Sequence, residues 1–325
     1  MRFVNGLFLS LAVLTAACGS SDSGESGESI KYHAEFVAHF APEQGQLPEG
    51  LVVQGDHAYV GFAPTGRVAR VELATGAVSD FAQMPAPVPN QGFLTGLELD
   101  AAGALYAALV SFNPEVQPGI YRAPASGGGG TLFAAHEHMA FPNGLDFDAA
   151  GHLFVSDSGA GSIFRIAANG EVEEWFHDDA LAGDTNFCGE GLGAGFDIGV
   201  NGLIDDAGSL YVVNNDKASL FELPINADGT PGALRTIVEH DCAALGGADG
   251  LTRQADGSFL VAVNRQDKLV RVDADGTTTD VLVGGELDFP ASFGESGDAT
   301  YVTNFALNRA SAGESSQPGL LRLRR

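Results

Sequence analysis

Positive charge is what this chain most lacks. Lysine and arginine together number 16 against 42 acidic residues, a formal net charge of −26. A field of that sign repels nucleic acid and anionic membrane surfaces and attracts cations, divalent metals included. Solubility in a salty medium would account for the same surplus without any ligand. A sustained helical period is also missing, which argues for almost no helix. No serine nucleophile elbow is present, and no Cys–His pairing stands out. Gly189 to Gly195 could pass for a phosphate loop, but it neither follows a strand nor opens a helix, and Glu190 would repel phosphate. Cysteines number three.

One of those three belongs to a targeting segment. Arg2 supplies a positive start, and the apolar run Leu7 to Ala17 falls short of the about 20 residues a spanning helix needs. The run ends in Leu14-Thr15-Ala16-Ala17-Cys18, which resembles a bacterial lipoprotein signal with Cys18 as the lipidated residue. The alternative is an ordinary secretory signal cut near the same place. Gly19 to Ser29 holds no apolar residue and cannot fold by burial, so it is expected to be a tether. The expected organisation is a signal peptide over 1–17, anchor and tether over 18–33, and one domain over 34–325. The protein is then exported and lipid-anchored to the bacterial cell envelope, touching the membrane only through that anchor. Cys188 and Cys242 remain; in an oxidising compartment they can pair as a disulfide, or stay as buried thiols.

What is present in quantity is repetition. A residue followed by Gly-Leu and a short β-like run recurs as Glu49-Gly50-Leu51, Thr95-Gly96-Leu97, Asn143-Gly144-Leu145, Asn201-Gly202-Leu203 and Asp249-Gly250-Leu251, with a degraded sixth copy at Ala291-Ser292-Phe293. The spacings of 46, 48, 58, 48 and 42 residues are those of propeller blades. Length alone suggests two domains; the repeat argues for one. Each copy reads as four strands, the first following the Gly-Leu phrase, with Asp-Gly turns such as Asp148-Ala149-Ala150-Gly151 between them. The last copy lacks its fourth strand, while an orphan strand, Ala34 to Phe40, precedes the first. Joining the two closes the ring. The expectation is an all-β, six-bladed β-propeller whose last blade is completed by the N-terminal strand, which leaves no open sheet edge.

Ring closure would bring the six variable residues to one axis: Glu49, Thr95, Asn143, Asn201, Asp249 and Ala291. Two carboxylates and two amides are hard oxygen donors, suited to Ca²⁺, with Mg²⁺ or Mn²⁺ also fitting. The competing account is that these Asn and Asp residues merely cap turns. Pro142-Asn143-Gly144-Leu145 with Phe154-Val155-Ser156-Asp157, followed by Asn201-Gly202-Leu203 and Asp249-Gly250-Leu251, resembles the family of senescence marker protein, gluconolactonase and luciferin-regenerating enzyme. Squid-type diisopropylfluorophosphatase is a related propeller. The resemblance covers roughly residues 35 to 325. It implies an axial calcium held by Glu49, Asn143, Asn201 and Asp249, and hydrolysis of a lactone or related ester with Asp249 as base or nucleophile. Leu51 stands where the family usually has proline.

Two function classes follow. One is a calcium-dependent hydrolase acting on a small-molecule lactone or ester, as a monomer. The other is a non-catalytic surface propeller that binds a partner with the ion as a structural plug. A quinone-dependent sugar or aldehyde oxidase is a third, without dedicated support in the sequence. Asp157, Asn214, Asn215, Asn264 and Asn304 end second strands and would either orient the ring residues or cap strand ends. His39, His136, His138, His177 and His240 are placed on the outer rim. The connection from His177 to Gly199 would form a lid over the channel mouth. Arg253, Arg265 and Arg309 are candidates for an anionic substrate.

Overall fold

The computed structural model describes residues 31–189 and 195–325. The signal segment, Cys18 and the tether up to Ser29 lie outside the described residues, as does the Glu190–Ala194 part of the expected lid.

Six small sheets follow one another along the chain, antiparallel except that Gly128–Gly129 adds a short parallel strand to the outer edge of the first. Blade 1 comprises Pro48–Gln54, His57–Phe62, Arg67–Glu72 and Val78–Gln83. Blade 2 comprises Gly92–Leu99, Leu105–Ser111, Gly119–Ala123 and Thr131–Ala134. Blade 3 runs through Pro142–Phe147, Leu153–Asp157, Ser162–Ile166 and Val172–His177. Blade 4 runs through Val200–Asp206, Ser209–Asn214, Ser219–Pro224 and Arg235–Val238. Blade 5 holds Ala248–Arg253, Phe259–Val263, Lys268–Val272 and Thr278–Val283. Blade 6 takes Pro290–Ser296, Ala299–Asn304 and Gly319–Arg324 from the end of the chain and His33–His39 from its start. The molecule is a six-bladed β-propeller, nearly all β, and the N-terminal strand closes it. The α-helices among the described residues are the single turns Cys242–Leu245 and Leu307–Ser311.

The sequence argument placed the Gly-Leu phrase ahead of each first strand. The phrase instead lies inside that strand, which begins one residue before the variable position in five blades and three before it in blade 2. In all six blades the pairing register shifts across the phrase, as between Pro142 and Leu145. This is a β-bulge: an extra residue bends the strand and re-aims its side chains. The glycine is required by its neighbour. A Cβ on Gly50 would lie 2.2 Å from the carbonyl oxygen of Thr95, one on Gly96 2.2 Å from that of Asn143, and one on Gly202 2.2 Å from that of Asp249. Gly144 and Gly250 meet the Asn201 and Ala291 carbonyls in the same way, so five bulges each seat the variable residue of the next blade; the sixth phrase has Ser292 in place of the glycine.

The leucine that follows packs backward onto the preceding blade. Leu51 joins Phe62 with Tyr301 and Leu320 of blade 6, and Leu145 joins Phe164 with Tyr106 and Ile120 of blade 2. Burying each such side chain stabilises the stack by about 1.5–3 kcal/mol. Cys188, in the connection into blade 4, is disulfide-bonded to Cys242, in the connection into blade 5, with Cα atoms 5.4 Å apart.

Candidate metal centre and its cavity

Glu49, Thr95, Asn143, Asn201 and Asp249 line one cavity of about 760 Å³. Ala291 is fully buried and offers no donor. Thr95 is tied to the backbone, its hydroxyl donating to the Pro142 carbonyl at 2.8 Å. The remaining four side chains, from blades 1, 3, 4 and 5, are each 9 % exposed or less. Asn143 has its amide nitrogen committed to Ser158 Oγ at 3.1 Å, and Ser158 in turn donates to the Val200 carbonyl at 2.7 Å. That leaves the Asn143 carbonyl oxygen as its remaining donor.

Two buried oxygens of the ring, Glu49 Oε2 and Asn201 Oδ1, have no hydrogen-bond partner. Each such orphan costs about 1–3 kcal/mol. Burial pushes the Glu49 carboxyl well above its ordinary range, and the nearby Asp249 carboxylate pushes it further. Burial also raises Asp249, to about 6, against the hydrogen bond from Asn264 and the positive charge of Arg265. Two like charges crowded in a poor solvent cannot both persist alone. A divalent cation would neutralise both and satisfy the orphaned oxygens, so the donor set fits a hard metal ion. Among the described residues no three His, Cys, Asp or Glu side chains gather to hold a metal. The ring's donors are two carboxylates completed by amides.

Of the residues ending second strands, Asn264 reaches the ring directly: its amide donates to Asp249 Oδ2 at 2.8 Å. Asn215 braces the same strand, donating to the Ala248 carbonyl at 2.9 Å. The others hold backbone. Asp157 accepts from Phe141, Gly159 and Ala160 amides, Asn214 donates to Ala180 and Ala182 carbonyls, and Asn304 donates to those of Glu286 and Gln317. Ser158 occupies the position of Asn215 and Asn264 in blade 3 and escaped sequence reasoning.

Arg265 lines the cavity, whereas Arg253 and Arg309 do not. Its guanidinium pairs with Asp216 at 3.3 Å, both side chains nearly fully buried, and its charge reaches Asp249. None of the five rim histidines lines the cavity. His138, in the turn after the outer strand of blade 2, pairs with Glu174, and His177 with Ser162, each at 3.0 Å.

Phenylalanines supply much of the wall: Phe93, Phe112, Phe141, Phe196, Phe289 and Phe305. A register signal for half of them was present in the sequence. Phe93, Phe141 and Phe289 stand two residues before the ring positions Thr95, Asn143 and Ala291. In blades 4 and 5 the same position is Gly199 and Gly247, and the cavity there has no aromatic wall from that register.

No family model matches the chain, and no curated protein resembles it in sequence. Solved structures do. The architecture is shared with regucalcin. The calcium-binding protein regucalcin from Agrobacterium tumefaciens superposes with a TM-score of 0.66 at 17 % identity, over 90 % of this chain and 94 % of that one. Luciferin-regenerating enzyme gives 0.63 at 14 % identity, over 90 % and 95 %. The PQQ-bound aldose sugar dehydrogenase from Streptomyces coelicolor gives 0.61 at 18 % identity, over 91 % and 98 %. Identities this low carry the fold and leave the chemistry to the site.

Proposed function

We propose that this chain is a calcium-dependent hydrolase of a small lactone or ester, with the ion on the propeller axis. The observation that carries the reading is the cavity floor, where Glu49, Asn143, Asn201 and Asp249 arrive from four separate blades with buried oxygens lacking partners. Glu49, Asn143 and Asn201 would hold the ion together with Asp249. Mg²⁺ and Mn²⁺ prefer the same oxygens; calcium better tolerates irregular, amide-rich donor sets. When bound, such an ion supplies Lewis-acid polarisation of the reacting oxygen. Likeness to a calcium-binding propeller and to a propeller enzyme supports the reading.

Asp249 is the reacting carboxylate. Asn264 orients it through the 2.8 Å hydrogen bond, and Arg265 favours its ionised form. As base it takes a proton from water. The water oxygen bonds to the acyl carbon, the acyl C–O bond breaks, and the proton passes to the departing oxygen, giving a hydroxy acid or an acid and an alcohol.

Asp249→Asn keeps the shape and removes the base. Turnover should fall by about 10²–10⁴-fold while the melting temperature stays close to that of the parent. Full activity in this variant would end the mechanism. Elemental analysis of the purified domain, with turnover of lactones, esters and phosphotriesters measured with calcium and with chelator, tests the rest. Thermal stabilisation by calcium without turnover of any of them would assign the ion a structural role in a binding module.

A further inference from the structure

Resting on the hydrolase reading, the wall of the cavity narrows the substrate. Phe93, Phe112, Phe141 and Phe196 form one continuous aromatic face. Phe141 lies 5.3 Å from Phe93, 6.3 Å from Phe112 and 6.1 Å from Phe196, centroid to centroid. Phe289 and Phe305, 5.7 Å apart, form a second face on blade 6. Phe112 is 58 % exposed and Phe196 46 %, two of the few large apolar side chains left open to solvent among the described residues, and both stand at this cavity. Exposed apolar surface gathered at a cavity mouth marks a ligand surface.

The second face is held against a backbone cost. Phe289 has φ +57° and Ala306, next to Phe305, has φ +68°, the left-handed region that L-residues avoid. Asp267 Oδ1 fixes Phe289 by accepting its amide at 2.7 Å, and the Asp288 carbonyl fixes Ala306 in the same way. Strain maintained beside a site is characteristic of side chains aimed at a ligand.

Outside the ring, the polar side chains lining the cavity are Asn90, Asn264, Arg265, Asn308 and Ser311, and three of these are already engaged: Asn264 donates to Asp249. Asn308 has its amide committed to the Asn264 carbonyl at 2.8 Å and to Asp267 Oδ1 at 2.6 Å, and Arg265 is committed to Asp216. A polyhydroxylated lactone entering here would find Asn90 and Ser311 for its hydroxyls and would leave the rest unpaired, which costs binding. An aromatic ring would instead gain from edge and face contacts with the phenylalanines beyond its burial. Both terms favour the apolar ligand. We propose that the substrate is a lactone or ester bearing an aromatic group, which seats between the Phe112–Phe141 face and the Phe289–Phe305 face with its acyl carbon toward Asp249.

The experiment compares dihydrocoumarin with glucono-1,5-lactone on the calcium-loaded protein, and measures binding of 3,4-dihydroquinolin-2-one, an unreactive lactam, by calorimetry. The expected kcat/KM for dihydrocoumarin exceeds that for the sugar lactone about tenfold or more. In Phe112→Ala and Phe289→Ala that ratio should fall by about three- to tenfold, mainly through KM for the aromatic lactone, and the lactam affinity should fall in parallel. A preference for the sugar lactone, or a ratio unmoved in both variants, overturns the inference and leaves the hydrolase standing. Lactam binding lost in Phe112→Ala, with turnover of neither lactone, supports the aromatic cavity and overturns the hydrolase. No lactam binding and no turnover overturns both.

Discussion

Glu98 and Asp146 each follow a ring position by three residues, in blades 2 and 3, and the charge of Asp146 reaches Glu98. Burial raises Glu98 to about 8, with Asp146 pushing the same way against the hydrogen bond from the Leu99 amide. Burial raises Asp146 to about 7, against hydrogen bonds from the Asp205 and Phe147 amides. In the folded chain both hold protons that the unfolded chain releases near pH 4, so ionisation opposes folding. Their contribution is whole below pH 4 and is lost as pH rises through about 7 and 8. Glu98→Gln keeps the acceptor for the Leu99 amide and removes the charge. Thermal melts should show the variant gaining on the parent as pH goes from 5 to 8; a constant difference across that span would contradict the assignment. At this scale the sequence was legible where a residue type recurred in register, as with Glu49, Asn143, Asn201 and Asp249. It was silent on Thr95, whose oxygen the fold turns onto the Pro142 carbonyl, and on Arg265, which only the burial of Asp216 singles out.

The inner strand with its bulge is the working element. Its glycine touches the carbonyl of the next ring residue, so a methyl group there displaces a neighbour's backbone. Gly202→Ala would drive a Cβ to within 2.2 Å of the Asp249 carbonyl. Overpacking of that kind costs about 1–3 kcal/mol and should shift Asp249 as well. The expected result is a lower melting temperature together with weaker calcium binding by calorimetry. Gly151→Ala is the control: its φ of +86° makes the substitution cost stability, but no atom lies within 4 Å of the added carbon, so the ion should be untouched. Parent-like calcium affinity in Gly202→Ala would show that the bulges do not position the ring. The phrase itself was plain in the sequence. Its place inside the strand was not, because a bulge is a relation between paired strands and leaves no mark on one of them.

The whole molecule is closed by pairing its two ends. His33 lies opposite Arg324 and His39 opposite Gly319, and Arg325 donates to the Tyr32 hydroxyl at 2.8 Å. Gly319 pairs with Asn304, and Asn304 with Pro290 beside ring residue Ala291, so His39 stands at the cavity end and His33 at the far end. Tyr32 and His33 therefore stand on the face away from the cavity. A chain beginning at Phe40 should lose cooperative melting and aggregate, because blade 6 is left with an open strand edge. A peptide of residues 31–40 added in trans should restore a sharp transition. Cooperative folding of the shortened chain alone would mean that the closing strand is dispensable.

Blade number, ring closure and the four oxygen donors could be derived from the amino-acid sequence, because each is a periodic property and a repeat of near-constant length preserves register without coordinates. The aromatic walls, the buried Arg265–Asp216 pair and the burial of Glu98 and Asp146 were decided by the tertiary structure. They unite residues from loops of unequal length and from adjoining blades, and only closure of the ring sets the distances between them.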